Sequence, residues 1–328
     1  MKDTPLTSKI KRIDKKDVFA LTLTAAILAA MVALMIDPSR YQDAFENGLI
    51  LFAMNVLPAT FPYLFFTKIL LGLGLPEKLA KVLKKPLKLF GLPSSCGFLV
   101  VMSFLSGYPI GAKLTQELFS EGAISSRQAK AATALTSVSG PIFIVGTVGS
   151  AIFGDVKTGF IVLSSNLIAA FFNGLVWRDR RYEERMGKGY KKTSELSDAC
   201  YDTVVTVLIV GGYIALFNML AEILKGSGIF DFLVSSLDKI PFFKDNGVSE
   251  GLVYGLFEMT KGCLTLSRAG NLSSVAFSSG IIAFGGLSVV IQSVTFLSPC
   301  GVSFASFLVR KITQALLAFG ICYLFLLI

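Results

Sequence analysis

The apolar positions of this chain fall in long blocks separated by short polar stretches, not in strict alternation. The first block, "VFALTLTAAILAAMVALMI", follows a basic start and predicts a helix over residues 18–36. It is long enough to cross a bilayer and lacks a small-residue cleavage site, so it reads as an uncleaved first span. "DPSRYQDAFE" reads as a loop, and residues 47–74 as a second span carrying Pro58 and Pro62. Residues 75–88 differ. On a helical wheel Lys78, Lys81, Lys84, Lys85 and Lys88 share one face, while Leu75, Leu79, Val82, Leu83 and Leu87 share the other. That pattern predicts an amphipathic helix on the membrane surface, ending near Pro86.

Further along, the apolar blocks are themselves interrupted. "CGFLVVMSFL" runs into "SGYPIGAK", which is poor helix material, and then into "LTQELFSEG". Non-helical backbone at membrane depth is tolerated only where it is buried in protein or lines a cavity. A re-entrant hairpin over residues 93–120 meets that demand. Gly107 and Gly111 allow the tight turn, Pro109 ends the incoming helix, and Ala112 and Lys113 open the returning half-helix. The next span, 127–153, is interrupted at Ser139-Gly140-Pro141, and 159–177 crosses back.

The second half repeats the order. A span at 203–224 leads to a surface segment with Pro241 and a second hairpin at 248–271, its tip near Thr260-Lys261-Gly262. A span at 272–297 is interrupted at Gly285-Gly286-Leu287-Ser288, and a last helix covers 303–328, with Arg310 and Lys311 toward its inner end. The order of features, more than the matched identities, makes this an internal repeat.

Composition turns these helices into membrane spans. Hydrophobic residues make up 53% and charged residues 16% of the 328, and mean hydropathy is +0.67; soluble domains carry about 25% charged residues. The net charge of +9 is gathered in blocks at the N-terminus, at 78–88 and at 178–192. The positive-inside rule places such blocks in the cytoplasm. The chain must then make an even number of crossings between Lys88 and Arg178, which the hairpin allows. The expected fold is an all-α polytopic membrane protein of inverted structural repeats, each with a re-entrant hairpin and a broken transmembrane helix. Its divisions are a basic N-terminus and first helix (1–46), a first repeat (47–177), a basic linker (178–197) and an inverted second repeat (198–328). The N-terminus is expected in the cytoplasm and the C-terminus outside a bacterial cell membrane.

The candidate chemistry is that of a substrate site. The chain has no histidine, and its five cysteines show no CxxC spacing, so neither a zinc site nor a disulfide framework is expected. No Walker motif and no nucleophile elbow are present. An enzyme, a cofactor, a metal and a nucleic-acid partner are therefore not expected. Corresponding broken helices in two inverted halves point to a substrate site at the repeat interface. Lys113 and Lys261, one in each hairpin, would suit an anion together with half-helix N-termini. Glu258, three residues before Lys261, reads as an ion-pair partner, a coupling group for H⁺ or Na⁺, or a substrate contact. Ser106, Ser139, Thr260 and Ser288 offer hydroxyls to substrate or cap half-helices. Gln292 lies one turn after Ser288, and Tyr108 closes over a ring or packs. Gly107, Gly111, Gly140, Pro141, Gly285 and Gly286 shape the breaks. Three readings stay open: a transporter of a small anionic metabolite, a nucleoside or nucleobase transporter, and a non-transporting membrane protein that assembles or signals with partners. The expected partners are a small-molecule substrate, the lipid bilayer and, in a homo-oligomer, further copies of the chain.

"SGYPIGAK", "SGPIFIVGTVGSAIFG", "GLFEMTKG" and "FGGLSVVIQ" resemble the nucleoside-recognition, or Gate, family, most closely its sporulation integral membrane (YlbJ-type) members. The resemblance covers about residues 48–328. It implies a transporter whose fold is similar to half-units of concentrative nucleoside transporters and to the membrane part of ferrous-iron transporters. It also implies a link to spore formation, to the forespore membrane, and to the movement of dipicolinate, a small aromatic dicarboxylate. The chain departs from nucleoside transporters in lacking their Gln/Glu-rich first hairpin. It departs from the iron transporters in lacking a GTPase domain and histidine.

Overall fold

The computed structural model describes residues 15–185, 190, 196–243 and 247–328. The basic N-terminal residues and part of the basic linker lie outside the described residues. Among the described residues the fold is all helical, with no strand.

Helix α1 (Lys15–Ile36) turns through 107° into α2 (Pro38–Leu51). The expected loop at 37–46 is therefore a helix. Asp37 accepts from the Arg40 amide at 3.3 Å and Pro38 occupies the first turn, an N-terminal signature in a stretch too polar to read as a span. A π-helical turn (Phe52–Val56) joins α2 to α3 (Leu57–Gly72), so 47–74 is not one continuous span. Helix α4 (Leu75–Lys88) is amphipathic as expected: all five lysines are exposed and Leu87 is buried.

Two helical hairpins follow the same plan. The first comprises α5 (Cys96–Ser106) and α6 (Ile110–Ser120), and the second α11 (Val248–Phe257) and α12 (Met259–Ser267). Each precedes an interrupted helix. In the first half, α7 (Ser126–Thr136) stops before Ser137, and the chain resumes through Pro141 into a π-helical segment (Phe143–Ile152). In the second half, α13 (Leu272–Phe284) stops at Gly285, in the left-handed region at φ +89°, and α14 (Gly286–Leu297) resumes. Unbroken helices frame these pieces: α8 (Val156–Val176), the 31-residue α9 (Leu196–Gly226) and α15 (Phe304–Leu327). The short α10 (Ile229–Asp238) and a 3₁₀ turn at Pro241–Phe243 form the surface segment before the second hairpin.

Among the described residues four helical stretches, α8, α9, the interrupted α13–α14 and α15, are long and apolar enough to cross a membrane, or five if the bent α1–α2 pair is one span. The molecule is a multi-pass membrane protein. Large apolar side chains such as Phe160, Leu208, Leu316 and Leu324 are exposed on these spans, as lipid-facing positions should be. Between helices, small polar side chains supply directed contacts. Asn166 donates to Ser279 Oγ at 3.0 Å, and Asn173 bridges α7 and α15 through Ala134 O at 2.9 Å and Thr313 Oγ1 at 2.7 Å.

One detail of the second hairpin departs from the sequence reading. Its turn falls at Glu258, in extended backbone, and not at Thr260-Lys261-Gly262. Glu258 caps α12 by accepting from the Lys261 amide at 2.8 Å. Gly262 lies inside α12 because a Cβ there would sit 2.4 Å from the Cα of Gly255. The structural counterpart of Gly107, which ends α5, is thus Glu258, which ends α11.

Candidate functional site

The two hairpin tips and the two helix breaks meet around one cavity. Its walls include Ser106 and Tyr108 from the first hairpin and Glu258, Met259 and Thr260 from the second. Ser139 and Gly140 come from the first break, and Val289 and Gln292 from α14. Helices α3 and α9 close it with Thr60, Tyr63, Val210 and Ile214. Its volume is about 50 Å³, room for roughly four water molecules.

Glycine makes the convergence sterically possible. A Cβ on Gly107 would sit 2.1 Å from the amide nitrogen of Gly140, so the first tip lies backbone to backbone against the first break. Gly107 also has φ +76° and ψ −157°, a conformation essentially reserved for glycine. On the other side, a Cβ on Gly286 would meet Phe257 O at 2.9 Å, which seats the second tip against the second break.

The polar lining is incompletely satisfied. Ser106 Oγ and Gln292 Nε2 are buried with no hydrogen-bond partner among the described residues. Buried polar groups are rarely left so, and each orphan costs about 1–3 kcal/mol. Both face the cavity, where a polar guest or water would satisfy them. Glu258 is 2% exposed and accepts from Thr260 Oγ1 at 3.1 Å as well as from the Lys261 amide. Among the described residues no cation lies within ion-pair distance of its carboxylate.

Of the residues singled out in the sequence, the cavity gathers Ser106, Tyr108, Ser139, Gly140, Glu258, Thr260 and Gln292. Gly107, Gly111, Pro141, Gly285, Gly286 and Ser288 stand behind its wall. Gly111 presses on Thr136 O, and Ser288 is buried with an unpartnered hydroxyl.

The hairpin lysines point elsewhere. Lys113 donates to Thr206 Oγ1 on α9 at 2.6 Å, beside a cluster in which Lys68 pairs with Glu117 at 2.8 Å and Asp202 at 3.4 Å. Lys261 donates to Asn218 Oδ1 on the same helix at 3.4 Å and lies 4.4 Å from the centre of the Tyr254 ring. The two lysines therefore brace the hairpins against α9, about 18 Å apart along it.

A different cation serves the centre. Lys311 of α15 is 1% exposed and donates to Tyr108 Oη at 2.5 Å, Ser137 O at 2.9 Å and Gln314 Oε1 at 3.1 Å. Tyr108 Oη also lies 3.2 Å from Ser137 O and from Ala283 O. This pair thereby ties the first tip to the last residues before both breaks. In the sequence Lys311 reads as the inner end of the last helix. Its signal was a charge eight residues into a 24-residue helix.

No protein-family description matches the chain, and no solved structure matches it. It is similar to the sporulation integral membrane protein YlbJ of Bacillus subtilis (strain 168), 27% identical across 92% of this chain and 79% of that protein.

Proposed function

We propose that this chain is a secondary transporter or facilitator of a small polar metabolite bearing carboxylate groups. The carrying observation is the cavity itself: two hairpin tips and two helix breaks converge on buried polar groups that lack partners. Broken helices in inverted repeats hold substrate at the repeat interface in many transporter folds. In the state described here the cavity has room for only a few waters, less than an aromatic dicarboxylate needs. Admission therefore requires the tips to part from the breaks, the expected motion of alternating access. Glu258 would carry the coupling H⁺ or Na⁺, because its buried carboxylate faces the cavity without a cation beside it. A dicarboxylate of the dipicolinate kind follows from the YlbJ-type resemblance, and a role in sporulation from that resemblance and from the name of the related protein.

A second reading has its own support. Ser106, Thr260, Gln292 and the Tyr108 ring would also suit a neutral nucleoside or nucleobase. The third reading, an assembly or signalling protein, leaves the orphan polar groups of the cavity unused.

Thermal stabilisation of the detergent-purified protein separates them. A ligand at a hundred times its Kd stabilises by about 2.7 kcal/mol. Stabilisation by pyridine-2,6-dicarboxylate or other dicarboxylates supports the lead reading. Stabilisation by nucleosides alone transfers it to the second. A folded sample silent across both panels favours assembly.

A further inference from the structure

Lys311 is buried in a membrane-spanning helix, and among the described residues no carboxylate stands within ion-pair distance of it. Its three donors are matched by three neutral oxygens: one hydroxyl, one backbone carbonyl and one amide. A cation inside a membrane is costly and faces the bundle interior or a substrate path. Of the three acceptors, Tyr108 is the one that lines the central cavity, and it also lines a second, smaller cavity of about 10 Å³.

That second cavity is walled by Thr133, Thr136, Ser137, Ser293 and Phe307. It lies toward the basic end of the molecule. Phe307 is one turn nearer the start of α15 than Lys311, and the neighbouring loops converge there. Gly301 abuts Ser126, and Gln128 donates to Glu183 O at 2.7 Å within the basic segment. Tyr108 thus borders both cavities, and Lys311 donates to its hydroxyl.

We propose that Lys311 is the substrate-carboxylate cation of this transporter and that Tyr108 is the gate that covers it. The proposal rests on the transport reading above and names the recognition residue of that site. A carboxylate entering the central cavity would replace the Tyr108 hydroxyl on Lys311 Nζ. An ammonium–carboxylate pair adds the attraction of opposite charges, weakly screened at this depth, to the charge-assisted hydrogen bond that the Tyr108 hydroxyl already accepts. The exchange is therefore downhill for a carboxylate and gains nothing for a neutral amide of the same shape. Releasing Tyr108 would also free it from Ser137 and Ala283, loosening the first tip from both breaks at once. Ligand would then shift the gate through differential contacts in the two states.

Binding constants for pyridine-2,6-dicarboxylate, glutarate and the neutral isostere pyridine-2,6-dicarboxamide test this on the full chain in detergent. The wild type should prefer the dicarboxylate over the diamide at least about ten-fold. Lys311→Gln should bring that ratio close to one, and Lys311→Arg should keep most of it. Tyr108→Phe removes the competing hydroxyl and should tighten the dicarboxylate and the diamide alike, about five-fold. Dicarboxylate preference retained in folded Lys311→Gln, or unchanged or weaker binding in Tyr108→Phe, overturns the proposal while the transport reading stands. If Lys311→Gln does not fold, Tyr108→Phe decides alone. A wild type that binds nucleosides and no carboxylate removes both the proposal and the anion reading.

Discussion

The two hairpins share a plan and divide the chemistry. The first turns through Gly107, Tyr108 and Pro109 with a cis Tyr108–Pro109 bond, and its tip carries an aromatic hydroxyl held by a lysine. The second turns through one residue, and its tip carries a buried carboxylate that caps its own return helix. Each sits on the break that follows it through glycine contacts, and each is braced against α9 by a lysine of its own. A repeated architecture thus supplies two equivalent positions that carry different groups: a tyrosine hydroxyl held by Lys311 and a buried carboxylate. In this account the hairpin bodies are structural, and function sits at the tips.

The contact of the first tip breaks most readily. Gly107→Ala places a Cβ 2.1 Å from Gly140 N in a conformation that only glycine tolerates. Strain and overpacking together should cost about 3 kcal/mol or more, read as loss of folded protein on size exclusion. Gly122→Ala is the control. It also has positive φ, at +71°, but open space around it, and should cost only about 1–2 kcal/mol.

The carboxylate of the second tip should matter for flux before stability. Glu258→Gln keeps an acceptor for the Lys261 amide, so melting should fall by less than the roughly 1 kcal/mol of a lost cap. Saturable uptake into proteoliposomes should nevertheless drop at least about ten-fold, the scale of 1.4 kcal/mol. Full uptake in this variant would make Glu258 a cap and nothing more.

Exchanging the lysines sharpens the contrast. Lys113→Gln and Lys261→Gln alter braces outside the cavity. Equilibrium dialysis should find ligand affinity within about two-fold of wild type, as for sites that share no partner with the ligand. A large loss in either would return the hairpin lysines to the binding site.

The smallest effect concerns the base of the first hairpin. Partial burial raises the pKa of Glu184, but hydrogen bonds from the Ser94 amide at 3.1 Å, the Ser94 hydroxyl and the Tyr182 hydroxyl outweigh it, and the net value is below the ordinary glutamate range. Its stabilisation is therefore present above the unfolded value and drains as pH falls through the depressed one. Melting curves from neutral to acid pH should lose slightly less in Glu184→Gln than in wild type.

Much of this plan is legible in the sequence because glycine and proline inside apolar runs leave few alternatives. "SGYPIG", "SVSGP" and "FGG" mark the first tip and both breaks where the structure has them. The second tip is displaced because glutamate is an uncommon N-cap, which drew attention to Gly262. Helix α2 is hidden because Asp37-Pro38 opens a helix too polar to resemble a span. The lysines are misdirected for another reason: spacing places a Cα on an element, but a long side chain reaches several ångströms in a direction only packing decides. Lys113 and Lys261 extend sideways to α9, while Lys311, next to Arg310 on the last helix, turns inward.

Proteoliposome uptake of labelled pyridine-2,6-dicarboxylate by wild type and Gln292→Ala tests the central claim most directly. Gln292 presents a buried, unpartnered amide nitrogen at the cavity. Saturable uptake by wild type, with a clearly raised KM in a normally folded Gln292→Ala, is the expected result. Uptake indifferent to Gln292, or absent from folded wild type for every dicarboxylate and nucleoside tried, would contradict a substrate site between the two tips.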